Sequence, residues 1–240
     1  MKDPTLLDAV TKVTPMYSPT EIDHYQIRRV VDIYVNPATE DLGAVANGIE
    51  RVLHGMKPPA GIKVDMRGMV QGMRASFTSF ALGLMLALVL LYLILVAQFR
   101  SFVDPVLILL AVPTGVTGVL VALFLTRTTV NVQSLMGVLM MVGMVVSNSI
   151  LIVEFTHRLE QDGLTLIDAV VRSCRIRLRP ILMTSLATVF GLIPMALKLG
   201  TGSEAYAPLA RAIIGGLVVS VALTVFVVPA AYLLVYRRVR

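Results

Sequence analysis

Tryptophan is absent from this chain, and cysteine occurs once, as Cys174. A lone thiol excludes an intrachain disulfide and a thiolate metal cluster, so Cys174 is expected to pack as a small apolar residue. Charged residues make up 15% of the 240, against roughly 25% in ordinary soluble domains. Aromatics are equally sparse, at 6%. No basic patch interleaves with them, which excludes the usual nucleic-acid surface. His24, His54 and His157 show no metal-ligand spacing, and His157 is expected at a solvated interface. HExxH, G-x-S-x-G and the P-loop are all missing, so neither an enzyme of those classes nor an ATP-driven motor is expected. Residues 1–20 lack an apolar signal-peptide core, because Asp3, Pro4 and Asp8 interrupt it.

What is abundant is apolar side chain. Hydrophobic residues make up 56% of the chain and the mean hydropathy is +0.81. That composition predicts an all-α polytopic membrane protein, preceded by a small α+β fragment. Five apolar runs approach the ~20 residues that cross a bilayer. They lie at about residues 77–96, 103–125, 132–155, 180–197 and 210–232. Pro180 suits a helix start. Pro113, Pro194 and Pro229 fall within or near the ends of spans and are expected to kink them. A polar, partly amphipathic linker occupies about 157–179.

Residues 1–75 differ in kind. Ile27–Pro37 alternates as a strand, Asp41 is placed to cap a helix reaching about Leu53, and Ile62–Met66 alternates again. The expectation is a βαβ unit, with Lys57–Gly61 as a turn, too small to bury a core alone.

The most informative stretch is Leu135–Phe155, which carries Ser147-Asn148-Ser149 deep inside an apolar run. Polar groups at that depth are costly. At 100° per residue Gly143, Ser147 and Glu154 share one face, which should therefore meet another helix or a wet cavity. Small residues recur at four-residue spacing in Gly143/Ser147, Thr184/Thr188 and Gly216/Ser220/Thr224, as close helix packing in lipid requires. Met136, Met140, Met141 and Met144 suit adaptable packing.

Arginine sets the orientation. Arg100, Arg158, Arg172, Arg175, Arg177, Arg179, Arg237, Arg238 and Arg240 fall on one side; Arg127, Lys198 and Arg211 fall on the other. The positive-inside rule puts the first set, and the C-terminus, in the cytoplasm. With five spans, residues 1–75 are then outside. A polar region of that size without a signal implies earlier helices, hence a C-terminal piece of a longer protein.

Three runs carry a family resemblance: VGMVVSNSILIVEF, RIRLRPILMTSLATVFGLIPMAL and GGLVVSVALTVFVVPAAYLL. They resemble the C-terminal helices of resistance-nodulation-division (RND) efflux permeases, and RLRPILMTS (Arg177–Ser185) is close to a signature. PTEIDHYQIRRVVDIYVNP and GIKVDMRG resemble the end of that family's periplasmic porter region. The resemblance implies helices eight to twelve of twelve, in the bacterial inner membrane. It implies a proton-driven exporter of amphiphilic compounds or metal ions, without a cofactor. Its partners would be membrane lipid, the missing N-terminal permease half, a homotrimer, a periplasmic adaptor and an outer-membrane channel. The family's proton relay pairs two aspartates on the fourth helix with a lysine on the tenth, supported by an arginine and a threonine on the eleventh. By that match Ser147 stands in the lysine position, beside Asn148, and Arg177 and Thr184 match the other two. Each has a plainer reading. Ser147 and Asn148 would make interhelical hydrogen bonds, Arg177 would anchor at the interface, and Thr184 would bond its own helix. Glu154 would reach the interface. Without its missing part the chain is expected to be inactive. The alternative is a non-transporting membrane subunit or remnant that binds a partner protein.

Overall fold

The computed structural model describes residues 11–12, 14–38, 41–56, 59 and 61–239, and side chains as far as 236. Lys57, Pro58 and Ala60 of the expected turn lie outside the described residues. The chain divides into two units, residues 1–39 and 40–240, and each is described by itself.

The first unit holds an antiparallel hairpin of β1 (Asp23–Tyr25) and β2 (Arg28–Val30), with His24 opposite Arg29. Its two-residue turn places Gln26 and Ile27 at φ 48° and 70°, the left-handed pair that matches strand twist. The expected strand over Ile27–Pro37 is therefore paired only as far as Val30. Val31, Ile33 and Tyr34 lie outside any strand and are exposed. Ile62–Met66, in the second unit, is likewise not a strand. The order is β-β-α, which corrects the βαβ expectation. Alternation marks a potential strand, but a strand persists only where a neighbour supplies its ladder.

In the second unit α1 (Leu42–Gly55) starts as expected: the Asp41 carboxylate accepts the Ala44 N–H at 2.9 Å. Among the described residues five spans are long and apolar enough to cross a membrane. These are α2 (Met69–Phe99), the pair α3 (Val103–Leu109) and α4 (Ala111–Leu125), α5 (Val132–Gln161), α6 (Leu166–Ala196) and α7 (Ser203–Val239). The break at Leu110 has a cause in sequence. Pro113 has no N–H to offer the Leu109 carbonyl, and its ring crowds that group. Pro194 and Pro229, by contrast, lie inside helices that run on past them.

Several boundaries differ from expectation: α2 begins at Met69 and α7 at Ser203, each about two turns early, and both run past their expected ends. α5 continues to Gln161, and α6 begins at Leu166, capped by the Thr165 hydroxyl, which accepts the Asp168 N–H at 3.3 Å. The polar stretch before Pro180 is therefore largely helical. Pro180 sits inside α6 rather than at its start, because the stronger cap lies fifteen residues earlier, about four turns. α5 opens with a reciprocal capping box in which Asn131 and Ser134 each bond the other's backbone N–H at 2.9 Å.

α7 is the helix on which α4, α5 and α6 pack. Glycine makes this possible. A Cβ on Gly118 would lie 2.6 Å from the Gly215 carbonyl oxygen, and one on Gly137 would lie 2.8 Å from the Leu209 carbonyl oxygen. The backbones meet directly, the contact that replaces hydrophobic driving force between helices in lipid. At one end Arg211 of α7 donates to the Ala196 carbonyl at 3.1 Å and to the Thr128 hydroxyl at 2.7 Å. It ties the end of α6 to the α4–α5 connection. α2 stays peripheral, with Leu95 its one buried residue.

Candidate functional site

The polar residues of α5 separate onto two faces. On the inner face Ser149 donates to the Val145 carbonyl at 2.9 Å and Thr156 to that of Ile152 at 2.8 Å, both fully buried. Ser173 of α6 also donates to the Ile152 carbonyl, at 2.9 Å. This bond joins α5 to α6. On the outer face Gly143, Ser147 and Glu154 are all exposed. A Cβ on Gly143 would meet nothing within 4 Å, so its close-packing role is not met by any described residue of this chain.

Asn148 lies between the faces, half-buried. With Ser220 and Thr224 of α7 and Ile181 of α6 it lines a small cavity where the three helices meet. The cavity has room for about one water. Ser220 donates to the Leu217 carbonyl at 3.1 Å. Thr224 is 3% exposed, and its Oγ1 is buried without a hydrogen-bond partner.

Arg177 is half-buried on α6, with its guanidinium carbon 4.5 Å from the centroid of the Phe155 ring. It stacks on α5 by a cation–π contact, while its Nε is buried without a partner among the described residues. Thr184 lies two turns further on, on the same side of the helix. It is exposed, and its hydroxyl is 3.2 Å from the Pro180 carbonyl and 3.1 Å from that of Ile181. Ser147, Asn148, Arg177 and Thr184 are thus not gathered into one site within this chain. Of the four packing residues, Gly216, Ser220 and Thr224 face into the bundle. A Cβ on Gly216 would lie 2.5 Å from Met141 Cγ.

Sequence reasoning missed a second polar group, at the end of the bundle where α5 turns into α6. Asp104 of α3 is 1% exposed and accepts a 2.7 Å hydrogen bond from the Tyr236 hydroxyl of α7. His157 Nε2 of α5 is 3.8 Å from the same carboxylate oxygen. In sequence Asp104 is a single charge at the start of the expected 103–125 span, and His157 reads as an interface residue. Only the fold brings them together.

Five membrane-length helices, glycine-mediated contacts and polar groups within those helices define a polytopic membrane protein. Residues 3–236 match the AcrB/AcrD/AcrF family, and the chain belongs to it, within the RND permeases. Two crystal structures of a heavy metal efflux pump, in crystal forms I and II, superpose with a TM-score of 0.73 at 33% identity. The match covers 83% and 82% of this chain and 20% and 19% of those chains. The chain thus spans about a fifth of the length of these relatives.

Proposed function

We propose that this chain is the C-terminal membrane portion of an RND-type secondary exporter, which moves metal ions or amphiphilic compounds outward in exchange for protons. The heavy metal efflux pump among its structural relatives favours metal ions. It lies in the bacterial inner membrane, with residues 1–75 periplasmic and the C-terminus cytoplasmic. The complete protein works as a trimer with an adaptor and an outer-membrane channel.

The uncovered Gly143–Ser147–Glu154 face of α5 carries this reading. A polar, close-approach face at bilayer depth is costly against lipid, so in the working protein helices of the N-terminal half cover it. Ser147 contributes hydrogen bonds to that contact and no charge. Any charge in the relay is then supplied by carboxylates of the other half and by Arg177, stacked on Phe155.

The test is metal accumulation in an efflux-deficient host. This chain alone, and this chain together with a polypeptide supplying the other helices, are compared with and without an uncoupler. The expected result is uncoupler-sensitive export only when both are present. Export by the chain alone refutes the need for a second half. No export from the pair favours a non-transporting subunit instead.

A further inference from the structure

The Asp104 cluster stands apart from the Ser147 face and plays no part in the exchange proposed above. It gathers groups from three helices. Asp104 comes from α3, His157 and Glu160 from α5, and Tyr232 and Tyr236 from α7. From α2, the Phe99 ring centroid is 6.1 Å from that of His157. The His157 ring is also edge-on to Tyr232, at 5.6 Å, and to Tyr236, at 6.2 Å. Nearby, one carboxylate oxygen of Glu160 and the Tyr232 hydroxyl are buried and interact with one another, but neither makes a well-formed hydrogen bond among the described residues.

Among the described residues the Asp104 carboxylate has one side-chain donor within bonding distance, the neutral Tyr236 hydroxyl. One neutral donor does not offset the burial of a carboxylate, and an unpaired buried charge is strongly destabilising. His157 offsets it when its imidazole carries a proton, as the cation of an ion pair. The same proton placed on Asp104 neutralises the carboxyl directly. In either arrangement the Asp104–His157 pair holds one proton and is neutral as a unit. Without that proton a buried carboxylate faces a neutral ring, and Glu160 adds a second negative charge to the cluster.

We propose that Asp104, His157 and Tyr236 form a proton-binding site, and that the bound proton clamps α3, α5 and α7 together at this end of the bundle. The ligand is a single proton taken from water. Its loss loosens α3 and the last turns of α7.

Amide hydrogen exchange in the full polypeptide tests this, corrected for intrinsic rates. It is followed at either end of the range from about pH 5 to 8, in which histidine ordinarily changes charge. Wild-type α3 amides are expected to lose protection roughly a hundredfold or more at the upper pH, the order that leaving a buried charge unpaired implies. Asp104→Asn keeps an acceptor for Tyr236 and removes the charge, so its protection should be equal at both ends. His157→Gln should show the low, upper-pH protection throughout all but the most acidic conditions. A wild type equally protected at both ends overturns the proposal. So does either variant that keeps the full wild-type response, and His157→Gln decides alone if Asp104→Asn does not fold.

Discussion

Replacing Gly215 by alanine should destabilise the bundle, whereas the same change at Gly143 should stabilise it. In a helix interior Ala is favoured over Gly by roughly 0.5–1 kcal/mol, so an unopposed change gains about that much. Gly143 has open space where the methyl would go, and nothing opposes the gain. At Gly215 the new methyl would overlap Ala122 Cβ and lie 2.8 Å from the Gly118 carbonyl oxygen. Backbone on both sides cannot yield as a flexible side chain would, which places the cost toward the upper part of the ~1–3 kcal/mol range for overpacking. Subtracting the propensity gain leaves a net loss of about 1–2 kcal/mol, roughly a five- to thirtyfold shift in the folding equilibrium. The assay is reversible unfolding in bicelles. Ala122→Gly removes the methyl that the new one meets, so the Gly215→Ala/Ala122→Gly pair should show favourable coupling of at least ~1 kcal/mol. A Gly215→Ala variant as stable as wild type would refute the backbone-contact reasoning. Gly143→Ala carries a second message. If the other permease half packs on that face, the substitution turns from stabilising to destabilising when both halves are present.

The Thr224 hydroxyl, buried and without a partner, predicts that isosteric Thr224→Val raises stability by about 1 kcal/mol; a loss of stability would mean that water joins it to Asn148. Arg211→Met severs the bonds to Ala196 and Thr128 and should cost about 1.5–3 kcal/mol, with faster amide exchange in the last turn of α6 as the readout. At the surface, Arg74 lies 2.6 Å from Glu50 and holds its carboxyl below the usual range. The stability this adds is complete above the unfolded carboxylate value, ~4.3, and is lost as pH falls through the lowered folded value. Glu50→Gln should therefore flatten the acid limb slightly, and an unchanged pH–stability curve would show that solvent screens the pair completely.

How much was legible in the sequence follows the range over which each feature is decided. Apolar runs, the Asp41 cap and the Pro113 break depend on residues a few positions apart, and a one-dimensional reading finds them. Pro180 misled because its suitability as a first helical residue is real but local. It competes with a better cap at Thr165, and a helix begins at the earliest cap that packing supports. The N-terminal strands misled for the opposite reason, since alternation describes one strand and pairing needs two. The site divides the same way. Arg177 and Thr184 stand on one side of α6 by simple periodicity, and Thr184 bonds its own helix as a threonine in a helix is expected to, yet only the fold shows Arg177 stacked on Phe155. Asp104 is the extreme case. The hydroxyl that bonds it lies 132 residues away, and a single charge at the start of an apolar run gives no sign of that distance. Buried polar groups in a membrane bundle are therefore the features that sequence hides best. Each looks like an interface residue until its partner is known.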